Sequence, residues 1–314
     1  MKILHAVPGL NEQWCGIAVA AKLLSKEQGA LCVEIKKASQ LEIREADEVW
    51  VHSCWTPCVW RVCFLAIKAR KKLVRMLHGN LDPVRLKYHG WKKWLVGPIE
   101  RWCLRRCDRI VATCEAEKDW IKAYLGKRCP EIEVTDIKRF FKLGSGGVGS
   151  GGVESGGVVF NNSQLITHNS QLHLLYLGRR HPLKGLEYLE EAVRQIQHRN
   201  DSASLRLCVK IVSNAFGDEK EKVWEWCDVL VLPTLSENFG LVVAEALERG
   251  KRVITTDGAP AWGDGLEFRV KSGGVGTGIW FGYGGRLIYL KGYREGSDDE
   301  RVKLLRDAIE RLCK

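Results

Sequence analysis

The chain has 314 residues, 45% hydrophobic and 28% charged, with a net charge of +11. This is ordinary globular composition with room for two domains. No apolar run approaches the ~20 residues of a membrane span, the longest being Val62–Ile67, and the apolar start Met1–Val7 is too short for a signal peptide, so a secreted or integral membrane protein is not expected. The charge is local. Residues 61–109 hold 14 Lys/Arg against 3 Asp/Glu, and the rest of the chain balances. One segment therefore carries the anion-facing surface. The 12 cysteines form no Cys-x-x-Cys pair and lack histidines at zinc spacing, which reads as reduced core thiols in a cytosolic protein and as no metal site.

In chain order, strand-like and helix-like runs alternate. Strands are expected at Ile3–Val7, Leu31–Ile35, Glu48–His52, Lys72–Leu77 and Arg109–Thr113. Helices are expected at Ile17–Gln28, Val59–Arg70 and Glu115–Leu125, the first and last closed by Gly29 and Gly126. Residues 144–171 break the pattern with Gly/Ser-rich low complexity followed by polar sequence, and read as a linker. The alternation then resumes. Strands fall at His173–Leu177, Leu205–Val212, Val229–Leu232, Arg252–Thr255 and Arg286–Leu290. Helices fall at Lys184–His198, Glu219–Trp226, Phe239–Glu248 and Asp298–Cys313, and a second Gly-rich interruption lies at Ser272–Gly278. Such alternation implies parallel sheets covered on both faces. The expected organisation is an N-terminal Rossmann-like domain over residues 1–143, a linker over 144–171 and a C-terminal Rossmann-like domain over 172–314. Two α/β halves on a hinge would frame a central cleft, with ligands at the carboxyl ends of the strands.

Two loops carry the chemistry. In Leu232–Leu247 a strand ends, Glu237 stands at the mouth of a helix beginning near Asn238 or Phe239, and Glu245 follows eight residues later. Backbone N–H groups of Asn238, Phe239 and Gly240 at a helix N-terminus suit a diphosphate, and the carboxylates suit sugar or ribose hydroxyls. Spacing alone equally allows Glu237 as a capping acid and Glu245 as a solvated helix residue. In Tyr176–Gly185 a strand ends at Leu177, and Arg179 and Lys184 bracket a Pro-containing loop, as clamps for pyrophosphate oxygens or as a solvated basic loop. There is no Walker loop and no GxGxxG in a strand–turn–helix context.

Taken together, Gly178-Arg179…Lys184-Gly185, Ser236-Glu237-Asn238-Phe239-Gly240…Glu245-Ala246 and Gly250–Thr256 resemble the nucleotide-sugar site of retaining glycosyltransferases of the GT-B fold, family 4. The run Leu77-His78-Gly79-Asn80-Leu81-Asp82-Pro83 is similar to a turn of that family's N-terminal domain. Glu100…Asp108…Thr113–Glu117 is similar to its following helix and strand, and Gly16 to the glycine of its first β–α loop. The resemblance covers roughly residues 1–125 and 172–262. It implies that Arg179 and Lys184 neutralise the departing diphosphate and that Glu245 accepts from ribose hydroxyls. Glu237 would hold the donor sugar with help from the Asn238, Phe239 and Gly240 amides. Gly16 would let the first loop approach the phosphates, and His78 would hydrogen-bond the sugar or the charge developing at the reacting carbon. His5 and His52, within strands, read as core or supporting residues.

The implied activity is a retaining, hexosyltransferase-like transfer from a nucleotide-sugar donor to a glycan or glycolipid acceptor, in envelope polysaccharide or lipopolysaccharide synthesis. With basic side chains at the leaving group and no Asp-x-Asp after a strand, no cofactor and no obligatory metal are expected. A catalytically weak nucleotide-sugar binder or scaffold of the same fold is the alternative.

Residues 85–109 interleave cations with tryptophans. They read as a solvated face, as a nucleic-acid surface without any supporting motif, or as an anionic-membrane patch centred on Lys92, Lys93, Arg105 and Arg106. The resemblance favours the membrane reading and hence a cytoplasmic protein peripheral to the inner membrane face.

Overall fold

The computed structural model describes residues 1–12, 15–88, 90–143, 171–199, 206–213, 215–263, 266 and 278–312. The expected linker, apart from Gln171, and nearly all of the interruption at 272–278 lie outside the described residues. The chain divides into two compact units, Met1–Phe140 and Phe141–Lys314. Phe141–Leu143 already pack on the second unit. The Phe141 ring stacks on Phe239 at 6.0 Å, and the Leu143 carbonyl accepts from Arg286 at 2.7 Å.

The first unit holds β1 (Ile3–Val7), β2 (Leu31–Glu34), β3 (Glu48–His52), β4 (Lys72–Met76), β5 (Arg109–Ala112) and β6 (Glu131–Val134). They form one sheet in the order β2-β1-β3-β4-β5-β6, every pair parallel. The helices are α1 (Gly16–Gln28), α2 (Gln40–Glu45), α3 (Pro57–Lys68), α4 (Pro83–Lys87), α5 (Gly90–Leu104) and α6 (Glu115–Leu125). Their starts follow local chemistry. Ser39 and Glu42 make a reciprocal capping box, and Thr56 caps a helix that opens on Pro57. β3 is buried along its whole length, as a central parallel strand must be, so the run from Glu48 to His52 places charged and imidazole groups in the interior.

The second unit holds β7 (Gln171–Leu177), β8 (Arg206–Val212), β9 (Val229–Leu232), β10 (Arg252–Thr256), β11 (Gly278–Gly282) and β12 (Leu287–Lys291), with α7 (Leu186–Arg199), α8 (Gly217–Trp226), α9 (Leu241–Glu248) and α10 (Asp298–Leu312). The order is β11-β12-β10-β9-β7-β8, all parallel except β11 against β12. α10 packs on α7 of the same unit, with Arg306 donating to Gln195 at 3.1 Å.

Each unit has its own core, built around Val49, Val51, Val62 and Leu73 in the first and Leu174, Leu189, Val231 and Leu305 in the second. Both sheets place their first strand between the second and the third. The strand order therefore reverses between β1 and β3, and again between β7 and β9. In open α/β sheets, ligands bind beyond the carboxyl ends of the strands at such a reversal.

Candidate functional site

In the second unit the two chemistry-bearing loops both leave the strands at this reversal. After β7 the chain runs through Gly178 and Arg179 to a short 3-10 turn, Pro182–Lys184. His181 caps the turn, its ring accepting from the Leu183 N–H at 3.1 Å. After β9 it runs through Pro233–Gly240. The loops are stitched together at one carbonyl: that of Leu183 accepts from the Leu235 N–H at 2.9 Å, the Ser236 N–H at 3.3 Å and the Thr234 hydroxyl at 3.0 Å. Gly185 stands in the left-handed region (φ 61°), and a Cβ there would lie 2.1 Å from the Pro233 oxygen, so only glycine allows the approach. A third loop joins from β10. The Gly258 carbonyl accepts from the Glu237 N–H at 2.7 Å, and a Cβ on Gly258 would lie 2.0 Å from the Thr234 oxygen.

This scaffold brings Lys184 and Glu237 together as a hydrogen-bonded ion pair, both only partly exposed. Glu237 also accepts from the Asn238 N–H at 3.2 Å. The Tyr176 hydroxyl donates to the Arg179 carbonyl at 2.8 Å, fixing the backbone from which the exposed Arg179 side chain extends. α9 starts at Leu241, two to three residues later than spacing suggested, because Gly240 (φ 67°) turns the chain as its N-cap. The Asn238 amide is consequently not an open helix-terminal donor. Among the described residues, the N–H groups of Phe239 and Gly240 have no protein partner. The Phe239 side chain is buried against Trp262, whose indole N–H donates to the Phe239 carbonyl. Glu245, in the middle of α9, pairs with Lys220 of α8 at 2.6 Å. Sequence reasoning missed Lys220 and Gly258; neither carries a motif, and each is brought in by the crossover of a different strand.

The first unit presents its own polar end. His78 follows β4, is 5% exposed and has left-handed backbone (φ 54°) beside Gly79 (φ 71°). Glu117, buried in the first turn of α6, holds this turn: it accepts from the Gly79 N–H at 2.5 Å, the Thr113 N–H at 2.8 Å and the Thr113 hydroxyl at 2.7 Å. Burial pushes its carboxyl above the usual range. Ser53 (φ 74°) and Trp55 (φ 68°), in the loop after β3, are left-handed too. Strained backbone at the carboxyl ends of neighbouring strands is characteristic of ligand sites.

Behind His78 lies a file of imidazoles. His52 Nδ1 is 2.8 Å from His78 Nε2, His5 Nδ1 is 3.0 Å from His52 Nε2, and His5 Nε2 is 2.8 Å from the Gln28 Oε1. His5 and His52 are fully buried. Burial lowers His5 to about 4 and His78 to about 3, and takes His52 well below its ordinary value. Gly16, expected near phosphates, is the first residue of α1; the left-handed glycine of the β1–α1 loop is Gly9 (φ 68°).

α5 divides the basic patch. Lys93 donates to the Arg85 and Tyr88 carbonyls at the end of α4, and Arg105, though exposed, to the Leu125 carbonyl at the end of α6, 3.0 Å away, so both are tethered to neighbouring helices. Lys92 lies over the Trp91 ring (5.5 Å) and Arg106 over Trp102 (4.4 Å). Trp91, Trp94, Leu95, Ile99 and Trp102 are all exposed, Trp94 by 78%. Their spacing of three, four, eight and eleven residues puts them on one helix face. Phe64 of α3, also exposed, extends this face by stacking on Trp102 at 6.5 Å.

Among the described residues no helix is long and apolar enough to cross a membrane. The eleven described cysteines are free thiols, and six of them are buried.

Fold and site together define a chain of the GT-B type: two parallel α/β units, each with polar loops at its strand reversal. Residues 32–135 match the family model "Glycosyltransferase Family 4", and residues 171–271 match "Glycosyl transferases group 1". An uncharacterized glycosyltransferase of Methanocaldococcus jannaschii is 32% identical over 103 residues, 26% of this chain and 26% of that protein. A D-inositol 3-phosphate glycosyltransferase of Pseudarthrobacter chlorophenolicus is 31% identical over 109 residues, 27% of this chain and 26% of its own length. These alignments span about a quarter of each relative. Among solved structures, a lipopolysaccharide outer core galactosyltransferase superposes with a TM-score of 0.55 at 14% identity, covering 100% of this chain and 92% of that one. A sucrose-phosphate synthase of Thermosynechococcus elongatus gives 0.52 at 14% identity, covering 81% and 80%. At these identities the structural likeness establishes the fold.

Proposed function

We propose that this protein is a retaining glycosyltransferase that takes a sugar from a nucleotide-sugar donor and transfers it to a hydroxyl of a glycan or glycolipid acceptor. The observation that carries this reading is the stitched pair of loops at the β7/β9 reversal. They set Lys184 against Glu237, hold Arg179 on a fixed backbone, and leave the Phe239 and Gly240 amides open. The two family matches, one on each unit, support it.

In this reading Arg179 and Lys184 meet the diphosphate as negative charge builds on the leaving oxygen, which is the largest electrostatic contribution to such a transfer. The open amides add donors to the same group. Glu237, held against Lys184, accepts from donor-sugar hydroxyls, and Glu245, paired with Lys220, accepts from ribose hydroxyls. The cationic side chains carry the charge that a divalent ion would otherwise carry, so turnover is expected to persist in chelator. His78 contributes a hydrogen bond from the first unit. The exposed aromatic face of α5, with Lys92 and Arg106 on its flank, would dock the protein on an anionic membrane where a lipid-linked envelope acceptor resides.

Thermal-shift titration with UDP-, GDP- and ADP-sugars, repeated on Arg179→Ala and Glu245→Ala, tests the donor site. One donor is expected to stabilise the protein, with the effect lost in both variants. Proton NMR of the product then reads the anomeric configuration. Stabilisation without turnover would leave a nucleotide-sugar-binding protein; no stabilisation by any donor would overturn the reading.

A further inference from the structure

The file of histidines in the first unit is a geometric consequence of the sheet. His5 is level with Trp50 across β1 and β3, so His52 lies two residues further along. His52 is level with Met76 across β3 and β4, so His78 again lies two further. Side chains alternate faces along a strand, so the step of two puts His5 and His52 on one face, and the left-handed turn after β4 sets the His78 ring against His52 at the carboxyl end. The other end is anchored by Gln28, the last residue of α1. Stacking continues along the file, with centroids 5.1 and 5.2 Å apart, and Trp50 covers His5 at 4.9 Å.

A neutral imidazole has one N–H donor and one acceptor nitrogen. Buried as they are, all three rings are neutral at pH 7, so every link in the file must point the same way. The direction is set at the anchored end. The Gln28 Oε1 only accepts, so His5 donates through Nε2 and accepts at Nδ1. His52 must then donate through Nε2 to His5 and accept at Nδ1 from His78 Nε2. His78 is left with a bare Nδ1, which has no protein partner among the described residues.

We propose that Gln28, His5 and His52 are positioning residues that fix the tautomer of His78, so that it presents Nδ1 as a hydrogen-bond acceptor and binds a ligand group that donates a hydrogen, such as a hydroxyl. An imidazolium, or the opposite tautomer, would instead favour a carbonyl or a phosphate oxygen. The tautomer follows from the geometry of this unit alone; that the donating group is a sugar hydroxyl rests on the glycosyl-transfer reading.

The test is a long-range proton–nitrogen correlation spectrum of histidine-labelled full-length protein at pH 7, without ligand. His5, His52 and His78 are expected each to show a protonated Nε2 and a pyridine-type Nδ1. A protonated Nδ1 on any of the three in the wild-type protein overturns the proposal. In Gln28→Lys the anchor becomes a donor, and all three rings are expected to reverse, so that His78 shows a protonated Nδ1. Gln28→Leu removes the anchor with little change in volume, and is expected to give His78 a mixture of tautomers; Gln28→Glu retains an acceptor and is expected to keep the wild-type pattern. Unchanged tautomers in a folded Gln28→Lys or Gln28→Leu protein would show that Gln28 does not set the direction. A merely structural glutamine would alter melting temperature without moving these resonances. Because the spectra need no substrate, failure of the glycosyl-transfer reading and failure of the tautomer assignment are separate results.

Discussion

Buried ionisable side chains set how this protein responds to pH and to point mutation. The three histidines are held neutral by burial, with His5 near 4 and His78 near 3, against an ordinary value of about 6.5 in the unfolded chain. Below pH 6.5 the unfolded chain binds more protons than the fold, so stability falls as pH drops, by about 1 kcal/mol per pH unit for each histidine, until the folded values are reached. Urea denaturation from pH 7 to pH 5 is expected to show this slope, and His52→Gln to flatten it. Beside them, Arg75 and Glu100 are fully buried and pair at 2.8 Å, with Glu100 also accepting from the Trp55 N–H and the Trp60 indole. Glu100→Ala leaves a buried guanidinium without its counter-charge, and is expected to cost about 3–5 kcal/mol in the same measurement. Glycines separate likewise. Gly185→Ala must drive a methyl into the Pro233 carbonyl, whereas Gly250 (φ 74°) has open space around it, so Gly250→Ala is expected to cost only the left-handed strain of about 1 kcal/mol, and Gly185→Ala clearly more, by thermal melting.

At the scale of elements, α5 is divided in its allegiance. Its inner side buries Glu100, Cys103 and Leu104, while its outer face carries the exposed tryptophans. In sedimentation with vesicles, binding is expected to need anionic lipid and to weaken with salt. Trp94→Ala and the double charge reversal Lys92→Glu/Arg106→Glu are expected to reduce it several-fold. Lys93→Glu and Arg105→Glu should instead lower stability, because those cations cap neighbouring helices. Equal binding to neutral vesicles would remove the membrane assignment. The contrast shows where sequence was legible. Interleaved Trp and Lys/Arg marked the segment, but four cations at similar spacing cannot be sorted into those lying over tryptophans and those tethered to helix carbonyls until α4 and α6 are in place. The apolar strand Glu48–His52 and the amphipathic helix Glu115–Leu125, closed by Gly126, were readable to the residue. The short α2 and the strands β6 and β11 were not, because α2 and β6 are rich in charged residues and β11 is bounded by glycines, so none shows the apolar run that marked β1, β3 and β9. The start of α9 was misread because nothing in the sequence shows that Gly240 takes a left-handed backbone, which delays the helix to Leu241.

At the scale of the molecule, two cores with separate sheets predict two cooperative events rather than one. Calorimetry is expected to resolve two transitions. Glu100→Ala should lower only that of the first unit, and a bound nucleotide-sugar should raise that of the second, where Arg179, Lys184 and Glu245 lie. The parallel sheets were implicit in the alternation of strands and helices, whereas the strand order and its reversal came only with the structure. The pairing of Glu245 with Lys220 was not, since it depends on how α8 packs beside α9.

The left-handed Ser53 has a consequence for attempts to toughen this protein. Its carbonyl accepts from Arg75 at 2.8 Å, so the tight loop after β3 is locked down by the same guanidinium that Glu100 neutralises. Ser53→Gly would release the cost of that conformation, about 1 kcal/mol, and selection for heat resistance should find it early. The Ser53 hydroxyl also accepts from the Asn80 side chain at 3.4 Å, so if the turn carrying His78 serves the proposed transfer, turnover of the more heat-stable variant is expected to fall as that contact is lost.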